Sequence, residues 1–160
     1  MKSLLAKQSG VMLLEALIGI LIFSIGILAM VGLQSLSVKN QADAKYRADA
    51  SYLANQIIGQ MWADRANLAN YAHNPTPVVT TVAPPTCVPN PAPSANANVT
   101  AWTAKIAATL PGAASTKQQI IIGPPPPAGT NQVTVVVCWK PPQEAAGTPA
   151  HKYLVTTNIN

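Results

Sequence analysis

The run from Val11 to Leu33, VMLLEALIGILIFSIGILAMVGL, holds 23 residues and a single charge, Glu15. At about 1.5 Å per residue, a helix of that length reaches roughly 34 Å and can cross a hydrocarbon core of about 30 Å. A cleaved secretory signal has an apolar core of about 7 to 15 residues closed by a small-x-small site. This run is longer, and no such site closes it. The flank before it carries Lys2 and Lys7 and no acid, so the positive-inside rule puts the N-terminus in the cytoplasm and everything after about residue 34 across the membrane.

A plain signal anchor accounts for the length but not for Glu15. A carboxylate in a membrane helix costs on the order of 2.5 to 3.5 kcal/mol at mid-bilayer, less near the interface, and is rare without a partner. The helix holds no Lys, Arg or His to supply one. A cut after Gly10 would give Val11 an α-ammonium four residues before Glu15 on the same helical face. The carboxylate then has a charge partner, in its own chain or in a neighbour.

The segment KQSGVMLLEALIGILIF resembles the type III signal of type IV prepilins and of the related pseudopilins of type II secretion. The shared features are a short basic leader, Gly, an apolar residue, Glu five residues past the Gly, and an uninterrupted apolar helix. The resemblance implies that a prepilin peptidase cuts between Gly10 and Val11 and methylates the new amino group of Val11. It also implies that Glu15 neutralises the terminal ammonium of a neighbouring subunit during assembly. Val11 stands where the family usually has Phe or Met. The partners implied are other major and minor pilins, the peptidase, and the assembly machinery of the inner membrane. The implied location is the inner membrane, single pass with a periplasmic C-terminal domain, and the extracellular pilus after assembly.

Past Leu33 the apolar run gives way to a helical period, with Tyr46, Ala50, Leu53, Ile57 and Met61 at steps of three and four. That stripe reads as a packing face for the C-terminal domain. No Pro intervenes before Pro75, so the helix is expected to run on to about Tyr71. Met61 to Tyr71, MWADRANLANY, resembles the M-x-D-R-x-N…Y region of PilV-type pilus modification proteins, which implies a minor pilin. Asp64 and Arg65 are adjacent and cannot face each other across a turn; they read either as a solvated helix end or as a subunit contact.

From Asn74 to Ala97 the chain is rich in Pro, with residues 75, 77, 84, 85, 89, 91 and 93 all Pro, and neither a helix nor a central strand fits. Trp102 to Leu110 fits a short helix stopped by Pro111 and Gly112, and it resembles the W-x3-[LI]-x3-LPG element of PilV-like proteins. Three strand candidates follow, Gln118–Ile122, Gln132–Lys140 and Lys152–Ile159. In the second, Val133, Val135, Val137 and Trp139 share one face while Thr134, Val136 and Cys138 share the other. An antiparallel meander packed on the helix gives an α+β fold of pilin-like layout. The expected divisions are a leader, 1–10; a membrane and assembly helix, 11–33; an amphipathic continuation, 34–73; a Pro-rich linker, 74–98; and a small C-terminal domain, 99–160.

Cys87 and Cys138 show no CxxC or Cys/His ligand spacing, which argues against zinc or a redox motif and for a disulfide in an oxidising compartment. No metal and no cofactor are expected. The formal charge is +5, and without Lys2 and Lys7 the remainder is 8 − 5 = +3. The cations form no dense run with interleaved aromatics, so no nucleic-acid partner is expected. His73 and His151 stand apart in the sequence and read as surface loop residues. Glu144 is the one acid after residue 64. No nucleophile, base or phosphate-loop arrangement emerges, and the chain does not read as an enzyme. Two other readings remain open: a type II secretion pseudopilin, and a membrane-anchored periplasmic binding domain that never polymerises.

Overall fold

A computed structural model describes residues 11–75, 87–88, 92–123 and 131–159. The chain divides into two units, Met1–Ala42 and Asp43–Asn160. In order, the elements are helix α1 (Val11–Ala63), a 3-10 segment (Arg65–Tyr71), helix α2 (Ala97–Thr109), a 3-10 turn (Ser115–Lys117), and strands β1 (Gln119–Ile122), β2 (Asn131–Trp139) and β3 (His151–Ile159).

In the first unit the described residues are helical throughout. The large apolar side chains from Val11 to Val38 are each between 47% and 75% exposed, an arrangement that water alone would penalise. α1 is long and apolar enough near the N-terminus to cross a membrane. The hydroxyl of Ser24 donates to the carbonyl of Ile20 at 2.7 Å, which removes a polar group from an otherwise apolar surface.

The second unit is α+β, with one three-stranded antiparallel sheet in the order β1-β2-β3. The stripe read from the sequence is the helical side of its core: Ala50, Leu53, Ile57 and Met61 are buried and Tyr46 packs against them, with Ala54 and Ile58 widening the contact. From α2, Val99, Trp102 and Ile106 join this cluster, and Leu110 follows. The indole of Trp102 donates to the carbonyl of Leu53 at 2.8 Å, so an aromatic side chain fills the core while its polar atom is satisfied. From the sheet come Ile120, Val133, Val135, Val137, Trp139 and Ile159. The alternation of β2 follows the pleat: Val133, Val135, Val137 and Trp139 face the cluster, and Thr134 on the other face bonds the Thr156 hydroxyl across the strands at 3.0 Å.

The three expected strands are present with limits shifted by at most one residue, and α2 ends one residue early, at Thr109; two helix boundaries differ by more. The α-helix ends at Ala63 rather than near Tyr71, because the chain tightens at Asp64. The amide of Asn67 donates to the Asp64 carbonyl at 3.1 Å, the Asn67 side-chain amide donates to the Asp64 carboxylate at 2.7 Å, and Asn67 itself leaves helical dihedrals. Helix α2 begins five residues before Trp102, since the Asn96 side chain caps it by accepting from the Asn98 amide at 2.9 Å. Part of the Pro-rich stretch expected as linker is thus helical.

The exit from α2 depends on Gly112, whose φ of +61° is left-handed. A Cβ there would also sit 3.0 Å from the Lys140 carbonyl oxygen. The turn it makes lets the Lys140 amide donate to the Pro111 carbonyl at 2.9 Å, fastening α2 to the end of β2. Gly112→Ala therefore combines a left-handed cost of about 1 to 2 kcal/mol with a backbone clash. The expected result is a stability loss of at least that size in urea unfolding followed by tryptophan fluorescence, with no change in helix content below the transition.

Candidate functional site

Three local arrangements carry polar chemistry or exposed apolar surface. The first is the start of α1. Val11 begins the helix and is 71% exposed, and Glu15, one turn later, is exposed as well. The helical neighbours of Glu15 at three and four residues are Val11, Met12, Ile18 and Gly19, so no side chain of its own helix can neutralise it. Gly10, on the other side of the expected cleavage point, lies outside the described residues.

The second is the disulfide. Cys87 and Cys138 are bonded, with Cα atoms 5.8 Å apart and a sequence separation of 51, so the expected pairing is present. Cys138 occupies the outer face of β2, opposite the helical core, and it is buried. The side chain of Gln118 clasps it from the β1 side: its amide nitrogen donates to the Cys138 carbonyl at 3.0 Å, and its oxygen accepts from the Cys138 amide at 2.8 Å. Closing a loop of this size is worth about 4 kcal/mol by chain entropy. The double variant Cys87→Ser, Cys138→Ser should lose up to that amount, read as a lower urea midpoint equal to that of the reduced wild type.

The third arrangement was not foreseen as a structural centre. His73, read from sequence as a surface loop residue, is 4% exposed. Its backbone forms a bridge with Ile120, with N–O distances of 3.0 and 2.9 Å. The Ser94 amide donates to its Nδ1 at 3.0 Å, so the proton resides on Nε2, which donates to the Ser115 carbonyl at 3.2 Å. Asn74 follows with a left-handed φ of 43°, which asparagine tolerates better than most residues. Its amide donates to the Ala92 carbonyl at 2.8 Å, and its side-chain oxygen accepts from the Ala92 amide at 3.2 Å. Its side-chain nitrogen reaches the Ser115 and Gln118 carbonyls, both at 3.3 Å. One His–Asn pair thereby joins the end of the helical segment, the return of the Pro-rich stretch and the lead into β1. The signal that could have revealed it was the Asn-Pro step after His73, a turn marker.

His151 is also engaged rather than isolated. Its Nε2 lies 2.6 Å from Glu144 and its Nδ1 3.5 Å from Asp43, and its ring stacks near that of Trp139 at 5.6 Å. Asp64 is part of a hydrogen-bonded junction, accepting from the Tyr71 hydroxyl at 3.2 Å while Asn98 donates to that hydroxyl at 2.7 Å. A polar cavity of about 630 Å³ opens beside this junction between Asn67, Ser94 and Asn96. Among the described residues no group of three or more His, Cys, Asp or Glu side chains is placed to hold a metal ion.

No protein-family model, curated protein or solved structure matches the chain.

Burial pushes the pKa of His73 below 6.5, and the bond to the Ser115 carbonyl offsets part of that. A second proton on Nδ1 would oppose the Ser94 amide. The unfolded chain therefore binds the proton first as pH falls. The stabilisation is complete above about pH 6.5 and is lost as pH drops from there to the folded pKa. Urea midpoints should decline over that window. His73→Gln should be less stable but show a shallower decline, by up to one proton, or about 1.4 kcal/mol per pH unit.

Proposed function

We propose that the chain is a minor pilin of PilV type, processed by a prepilin peptidase and taking part in type IV pilus assembly, initiation and function. The observation that carries the reading is Glu15: a carboxylate one turn into an exposed apolar helix, with no cation in reach on that helix and one created at Val11 if Gly10 is cut. Processing and assembly then form one mechanism. Cleavage turns the Val11 nitrogen from a neutral amide into an ammonium, and the pairing of that ammonium with Glu15 of a neighbour offsets the cost of burying either charge.

The exposed apolar surface of α1 supports lateral packing, first among lipids and then among the helices of other pilins. The PilV-type assignment rests on the resemblance of Met61–Tyr71 and of the Trp102–Gly112 element. In the fold these segments supply Asp64 and Tyr71, whose junction Asn98 completes, and the Gly112 turn, so they help hold the C-terminal unit in shape. The direction of insertion follows from Lys2 and Lys7, with the second unit periplasmic before assembly.

Intact-mass measurement of sheared surface filaments should find a chain beginning at N-methylated Val11. An uncleaved species confined to membranes would sink the reading. Glu15→Ala should still be cleaved yet fall in filament abundance by tenfold or more, and normal incorporation would contradict the charge-pairing role.

A further inference from the structure

The two edges of the sheet end differently. The Gly123 amide donates to the Gln132 carbonyl at 2.8 Å, and both backbone groups of Cys138 are taken from the β1 side by Gln118, so the even-numbered residues of β2 turn their backbone toward β1. By the period of two, its odd-numbered residues turn toward β3. Their partners there include Tyr153, Val155 and Thr157, which leaves the N–H and C=O groups of Leu154, Thr156 and Asn158 directed away from the sheet. On the opposite edge, along β1 and its lead-in, such groups are occupied: His73 takes both backbone groups of Ile120, at 3.0 and 2.9 Å, and the Gln118 carbonyl accepts from the Asn74 side chain at 3.3 Å. Among the described residues nothing plays that part for Leu154, Thr156 and Asn158, and all three are exposed.

An open edge is normally blunted by brevity, a bulge, Pro or charge. β3 runs for nine residues in unbroken register with β2, contains no Pro, and has no charged residue from Tyr153 to Ile159. The core is also open along this side, where Tyr46 of α1 and Tyr153 and Val155 of β3 pack against the buried cluster yet stay half-buried. A fourth strand beside β3 would pair the outward backbone groups and cover that rim. We infer that the β3 edge from Leu154 to Asn158 receives an extended, uncharged segment of another protein, with an apolar side chain set beside Val155. A second copy of this chain does not fit. The occupied β1 edge leaves it only β3 to offer, and two β3 strands joined in a closed dimer share a two-fold axis normal to the sheet. They run antiparallel, which also reverses one copy of α1. Copies inserted with Lys2 and Lys7 on one side of the membrane have α1 in one direction. That exclusion alone rests on the function proposed above, and the peptide measurement below does not depend on it.

The test uses the full chain in neutral detergent and a peptide of the sequence Tyr153–Ile159, acetylated, amidated and labelled with an uncharged dye. Free of any membrane orientation, the peptide can pair with the edge in either direction. Saturable binding is expected, with slower hydrogen exchange at the Leu154, Thr156 and Asn158 amides in the complex. Leu154→Pro removes one outward N–H and no bond of the β2–β3 ladder, a substitution that an edge strand tolerates. It should weaken binding about tenfold or more, with a urea midpoint near that of the wild type. Asn158→Pro makes the same cut at the far end of the edge and should weaken binding as well. Leu154→Ala retains the N–H and should bind within about threefold of the wild type. No saturable binding by the folded wild type, or equal binding by the Leu154→Pro and Leu154→Ala chains, would overturn the proposal. So would sedimentation of the peptide-free wild type as a dimer that Leu154→Pro converts to monomer, since the edge would then belong to a second copy.

Discussion

A three-stranded sheet standing alone leaves one apolar face in water, and here that face is Val133, Val135, Val137 and Trp139. What makes the second unit possible is that Ala50, Leu53, Ala54, Ile57, Ile58 and Met61 present a matching wall from the last turns of α1. Each fully buried aliphatic side chain of that kind contributes about 1.5 to 3 kcal/mol. The wall contains two alanines, which allow the helix to approach closely, and α2 completes it by inserting Trp102. The remaining polar devices, the His73–Asn74 centre and the Gly112 turn, act on an arrangement that this apolar contact has already selected.

The parts of this fold that were legible in the sequence are those governed by periodicity. The stripe from Tyr46 to Met61, the alternation of β2 and the pairing of Cys87 with Cys138 all follow from repeating patterns or from composition. The parts that were not legible depend on single polar atoms. Nothing periodic distinguishes Asn96 as a cap, Asn67 as the residue that tightens the chain after α1, or His73 as a buried residue with both ring nitrogens engaged. Each is set by a partner distant in sequence or by one local hydrogen bond.

Near the N-terminus the legibility is reversed. The composition of Val11–Leu33 and the place of Glu15 carry the functional reading, and the coordinates add that the whole apolar surface of this stretch is available for contact. An exposed carboxylate in such a helix is a demand for a partner. In the function proposed above, the amino group released by cutting the leader is what answers it, so that maturation of the chain and its incorporation among like helices become one step.

The chain between Asn74 and Ala92 is pinned at both ends, where those two residues bond each other, and between them by the bond from Cys87 to β2. A tether of that design separates attachment from sequence. Lengthening a loop between fixed points costs only about 0.6 kcal/mol per doubling, and among the described residues of this stretch neither Pro75, Cys87 nor Val88 belongs to the buried cluster around α1. Added length between those anchors therefore costs the second unit little stability, so the span can vary while the frame that fixes its ends stays constant.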